Sequence, residues 1–93
     1  MTLFISFRRE KDSEIYANTG HGFKFQQSLE GELNEDIALS RSGSKLICER
    51  GKKGNLYELI NGRYSKAQTF AFTQGITSFE FSDDEQVLLI GLR

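Results

Sequence analysis

The stretch ITSFEFSDDEQVLLIGLR, residues 76–93, decides how the chain is read. Two short runs of β-branched, aromatic and aliphatic residues flank SDDEQ, a cluster of turn-favouring residues, and that pattern is a β-hairpin. EDIALSRSGSKLICER, residues 35–50, has the same layout around SRSGS. A hairpin that recurs in so short a chain makes internal repetition the first thing to settle.

Outward from these hairpins, no window of the 93 residues sustains helical periodicity. Short apolar runs return about every ten residues, divided by Gly, Asn, Ser and Asp, which is the spacing of antiparallel strands. It predicts strands at about 3–7, 14–18, 23–29, 36–40, 45–49, 55–60, 64–72, 76–82 and 86–91. RREKD, NTGHG, SRSGS, RGKKGN, INGR and SDDEQ supply the turns.

The runs also align with one another. Ile15-Tyr16, Phe23, Gln27 and Leu29 match Leu56-Tyr57, Tyr64, Gln68 and Phe70 at a constant offset of 41 residues. One inserted residue later, Ile37, Leu39, Ser40 and Leu46 match Phe79, Phe81, Ser82 and Leu88 at an offset of 42. Identities are few, but apolar positions, turns and their order repeat together. A period of about 42 residues holding four short strands is that of a propeller blade.

On these residues the chain resembles the WD-repeat β-propellers, as a divergent member or a relative in another four-stranded propeller family. ITSFEFSDDEQVLLIGL is similar to the first hairpin of such a blade, GNLYELING to its third strand, and RYSKAQTFAFTQG to its outer strand and exit loop. Tyr57-Glu58 and Tyr16-Ala17 stand where the family carries Trp-Asp, and Glu30-Gly31 and Gln74-Gly75 lie nearest the place of its Gly-His. The resemblance implies an all-β chain of antiparallel four-stranded blades with about two repeats of about 42 residues. Residues 1–31 form a partial blade, 32–75 a complete one and 76–93 another partial one. A self-contained sandwich of about nine strands is the alternative arrangement.

Composition narrows the function. The chain is 38% hydrophobic and 27% charged, the balance of a folded globular protein with a modest core. Twelve Lys and Arg against 13 Asp and Glu leave a formal net charge of -1, which recommends neither nucleic acid nor an anionic membrane. The longest apolar run, Val87 to Ile90, is too short to span a bilayer, and Met1 to Arg9 lacks the apolar core of a signal peptide. One cysteine, Cys48, cannot form an internal disulfide. The expected setting is therefore intracellular, in the cytoplasm.

Each chemistry-bearing residue has a plain reading. His21 sits in the turn TGHGF with no His or Cys at ligand spacing, so it reads as a solvated turn residue. Cys48 follows Leu46-Ile47 and reads as packing. Asp83, Asp84 and Glu85 lack the alternate spacing of a calcium loop and read as a solvated hairpin turn. No cofactor, metal or catalytic set is expected, and no enzyme.

What recurs is charge. Arg8, Arg9 and Lys11 follow the first predicted strand, and Arg50, Lys52 and Lys53 occupy the equivalent loop of the next repeat. In a propeller these loops share a face with the loops between blades, of which one carries Glu30, Glu32, Glu35 and Asp36. Basic and acidic loops side by side suit a charged protein partner. The expected function is thus a non-enzymatic protein-protein interaction or scaffold module. Arg8, Arg9, Arg50, Lys52 and Lys53 are its first contact residues, and Glu32, Glu35 and Asp36 its second. Further blades or a second copy of the chain are the other expected partners. The alternative is an anionic ligand, a phosphorylated lipid or nucleic acid, on the basic loops.

Overall fold

Asn61 and Gly62 take φ of 51° and 80°, the two left-handed residues of a type I′ turn, and Ile60 pairs with Arg63 across them. Short turns of this and other kinds fold the chain into nine strands and no helix across the residues described by a computed structural model, 3–7, 13–29 and 36–93. They are β1 (Leu3–Phe7), β2 (Ser13–Asn18), β3 (Phe23–Leu29), β4 (Asp36–Leu39), β5 (Lys45–Arg50), β6 (Lys53–Ile60), β7 (Arg63–Ala71), β8 (Ile76–Phe81) and β9 (Leu88–Leu92). Sequential strands pair antiparallel in three sheets, ordered β1-β2-β3, β4-β5-β6-β7 and β8-β9. The fold is all-β, as the sequence predicts. The chain divides into two compact units, Met1–Asn34 and Glu35–Arg93.

The alignment of the sequence with itself has a counterpart in the backbone. In the first unit, Ile15 faces Gln27 and Tyr16 faces Phe25, with a bulge between Ile15 and Tyr16. In the second, Leu56 faces Gln68 and Tyr57 faces Lys66, with a bulge between Leu56 and Tyr57. Every one of these positions differs by 41. The two hairpins at an offset of 42 correspond as closely. Ser40 donates its N–H to the Lys45 carbonyl and Ser82 to the Val87 carbonyl, both at 2.9 Å. Each serine hydroxyl then accepts the returning N–H, of Lys45 at 2.9 Å and of Val87 at 3.0 Å.

In the first unit Ile15 and Leu29 are buried with Gln27, while Phe23 and Phe25 are exposed. The Tyr16 and Phe25 rings meet edge to face at 5.9 Å.

The second unit centres on β5. Leu46, Ile47 and Cys48 are fully buried and Glu49 is buried after them. Successive side chains of a strand point to opposite faces, so four buried residues in a row mean that β5 is covered on both. Tyr57, Tyr64, Asn55, Ile76 and Ser40 are buried around it. Tyr64 donates its hydroxyl to the Gly43 carbonyl, tying β7 to the β4–β5 hairpin, and burial pushes its phenol up from the usual 10.0. β8 lies against β4, and a Cβ placed on Gly54 would sit 3.5 Å from Cδ1 of Ile76.

Phe81 and Leu88, the counterparts of Leu39 and Leu46 at the offset of 42, face each other and are only half-buried. Within the unit β4 and, through Ile76, Gly54 of β6 lie against this hairpin, and Val87 and Leu89 remain 59% and 67% exposed.

Candidate functional site

The basic loop of the second repeat is tighter than its sequence implies. Arg50 pairs with Lys53, leaving a two-residue turn of Gly51 and Lys52 rather than the longer RGKKGN. Gly51 takes φ +64° while Lys52 stays in the ordinary region, the II′ pattern that places glycine at the first central position. A side chain there would be strained, so the turn that displays three cations depends on the glycine between them. Arg50, Lys52 and Lys53 are all exposed.

Main-chain hydrogen bonds bring the next connection against this turn. Phe72 donates its N–H to the Lys52 carbonyl at 2.9 Å, and Ile76 to the Gly51 carbonyl at 2.8 Å. From the far side Arg93 donates to the Gly75 carbonyl at 2.8 Å, so the end of β9 reaches the same end of the unit. Arg93, exposed, is the fourth cation there. Sequence reading passed over it, although the offset of 42 sets Arg93 opposite Gly51 and Leu92 opposite Arg50.

The acidic residues divide differently. Asp36 opens β4 across from Glu49, beside the basic turn, and its carboxylate accepts the Ile37 N–H at 2.9 Å. Arg8, Arg9, Lys11, Glu30, Glu32 and Glu35 lie outside the described residues. The structure thus gathers Arg50, Lys52 and Lys53 with Asp36 from the expected contact set, and adds Arg93.

At the opposite end of the β8–β9 hairpin the acidic turn does more than face water. Asp84 caps it, accepting the Ser82 hydroxyl at 2.7 Å and the Gln86 N–H at 3.1 Å, which hold its carboxyl below the usual range. Glu85 reaches to the neighbouring hairpin instead. It accepts the Ser42 N–H, the Ser42 hydroxyl and the Ser44 hydroxyl, each at 2.9 Å. The Ser42 N–H first, then its hydroxyl, pull the Glu85 carboxyl down to about 2. Asp83 faces Arg41 at 3.9 Å, both exposed, a contact of little energetic weight.

His21 is exposed in the loop between β2 and β3, where its N–H meets the Thr19 hydroxyl at 3.3 Å. Among the described residues no three His, Cys, Asp or Glu side chains form a group that could hold a metal, and no helix is long and apolar enough to cross a membrane. No family model matches the chain, and no curated protein or solved structure matches it either.

The second unit is therefore electrically polar. Four exposed cations lie at one end with Asp36 beside them, and Asp83, Asp84 and Glu85 mark the other with Arg41 against Asp83. Such an end attracts acidic groups and steers their approach more than it fixes their final affinity.

Proposed function

We propose that this chain is a non-enzymatic protein-protein interaction module built from propeller blades, and that it takes its partner at the basic end of its second unit. Four exposed cations brought to one end of the unit, with Asp36 beside them, carry the reading, because charges of both signs gathered at one place suit a charged protein partner. The blade architecture is supported by the two offsets, 41 and 42, which recur in pairing register, in bulge position and in the serine-closed hairpins. In that architecture β1 to β3 are the second to fourth strands of one blade, β4 to β7 a whole blade, and β8 and β9 the first two strands of another. Additional blades are then partners in their own right, and an intracellular setting accords with the single cysteine buried in β5.

Reversing Arg50, Lys52 and Lys53 to Glu together tests the reading, because all three are exposed and the turn keeps Gly51. Binding of acidic peptides, phosphoinositide vesicles and duplex DNA would be measured at about 50 and about 150 mM salt, where screening lengths differ but remain short. Acidic peptides are expected to bind the native chain and to lose affinity to the reversed one. Preference for vesicles or DNA, with a slope against salt set by the phosphates neutralised, would transfer the site to an anionic ligand. Equal peptide affinity for both proteins would sink the proposal.

A further inference from the structure

β4 and β8 lie side by side, and between them the second unit has a groove of about 380 Å³. It is lined by Leu39, Phe79 and Phe81 and by three exposed charges, Arg41, Glu80 and Asp83. Leu39 and Phe81 are counterparts at the offset of 42, as are Arg41 and Asp83, so the same part of two successive hairpins forms the two sides. In the proposed architecture both strands open a blade, and first strands border the central channel with a ladder only to the second. The opening of the groove therefore does not depend on what adjoins the chain.

Strain at one end shows that the groove is held in shape. Glu85 takes φ 62°, a conformation that a non-glycine residue keeps only where its surroundings impose it, and such strain collects at functional sites. Its carboxylate accepts three hydrogen bonds at 2.9 Å from Ser42 and Ser44, which fasten the β8–β9 turn to the β4–β5 turn beside Arg41 and Asp83. The two sides of the groove are thus fixed to each other before anything binds.

Charge and ring character specify the occupant. Asp83 is matched by Arg41 at 3.9 Å, whereas Glu80 has no ion pair among the described residues, so the lining carries one negative charge in excess. Aromatic faces attract cations, and a long basic side chain lays its methylenes on apolar surface while its head stays polar. A guanidinium does more than an ammonium, because it stacks on rings and forks onto a carboxylate. We infer that the groove receives an arginine side chain from an extended segment of another protein, its stem on Leu39 and its guanidinium shared by the Phe79 and Phe81 rings and Glu80. This is a contact surface separate from the basic end, and it stands whatever binds there.

The test titrates the complete chain with acetyl-Ser-Val-Arg-Val-Ser-amide and follows the backbone amide resonances of Leu39, Phe79 and Phe81. The companions are the same peptide with citrulline, which keeps the shape and removes the charge, and propylguanidinium alone. Three variants are compared: Glu80→Gln, Glu58→Gln as the same charge change elsewhere in the unit, and Glu85→Gly, which suits the turn but removes the tie to Ser42 and Ser44. The arginine peptide is expected to shift all three amides, and citrulline to bind more weakly. Glu80→Gln should weaken the peptide about three- to fivefold, the range of an exposed ion pair, and Glu58→Gln should not. Glu85→Gly should also bind more weakly, although every residue that lines the groove is kept.

No shift at these amides in about 5 mM peptide, where a millimolar site is mostly filled, would sink the proposal. Citrulline as tight as arginine would overturn the cation, and equal losses for Glu80→Gln and Glu58→Gln would replace the groove with a diffuse field. Native affinity in Glu85→Gly would overturn the claim that the strained turn shapes the groove. Propylguanidinium as tight as the peptide would give the groove to a small molecule, and a dimer that the peptide dissociates in light scattering would give it to a second copy. Either result ends the reading of a separate protein partner.

Discussion

Glu85 stands where its counterpart in the other hairpin, Gly43, has no side chain. Both are third in a four-residue turn and both take positive φ, 62° and 83°. Glycine accepts that conformation freely and glutamate rarely does, so something must hold Glu85 there. The three hydrogen bonds from Ser42 and Ser44 do so, and they join the β8–β9 hairpin to the β4–β5 hairpin. None of this shows in the letters DDE, which read as a solvated turn, because the partners are more than 40 residues away. The repeat carries the one hint, an offset that sets a glutamate against a glycine. A carboxyl depressed from 4.5 to about 2 in the fold contributes stability that is present above pH 4.5 and lost as pH falls through about 2. Thermal melts across that window should therefore show a smaller loss of Tm on acidification for Glu85→Gln than for the native chain. Some acid sensitivity should persist, since Asp84 is depressed in the same direction. Equal slopes for the two proteins would mean that Glu85 does not hold the hairpins together.

At the scale of elements, strand order and pairing were legible because antiparallel neighbours joined by short turns leave two local signals, an apolar or alternating run and a turn cluster. All nine strands appear where those signals put them. Their ends moved for local reasons: β6 starts at Lys53 because Gly51 allows a two-residue turn, and β9 starts at Leu88 because Ser82 holds Val87 within the hairpin closure. Burial was less legible. Phe81 and Leu88 look as apolar as Leu46 and Ile47, but coverage depends on which sheets lie above and below a strand, and one strand's sequence does not record that. The consequence is an ordering. Leu46→Ala in fully buried β5 should cost about 2–5 kcal/mol. Phe81→Ala, half-exposed, should cost roughly half as much, since less area returns to water. Lys52→Ala should stay within about 0.5 kcal/mol of the native chain. Urea melts with unchanged m-values decide it, and a Phe81→Ala loss equal to that of Leu46→Ala would place the centre of the core in the wrong strand.

For the molecule as a whole, net charge and local charge make opposite predictions. The chain is close to neutral, with a formal charge of -1 and an isoelectric point near 5.8. The basic end consists of Arg50, Lys52, Lys53 and Arg93. Acidifying from about pH 8 to about pH 5 takes the whole chain through its isoelectric point and leaves most peptide carboxylates ionised. If the long-range field of the entire molecule governed capture, affinity for an acidic peptide would climb as the net charge turned positive. If the four cations govern it, affinity stays flat across that range and falls only below about pH 4.5, when the peptide itself is neutralised. The second course is expected, because at physiological salt charges separated by more than about 8 Å are largely screened and only those close to a bound peptide act on it. A steady gain in affinity between pH 8 and pH 5 would show that the basic end is only part of a diffuse field, and the site drawn around Arg50, Lys52, Lys53 and Arg93 would lose its basis.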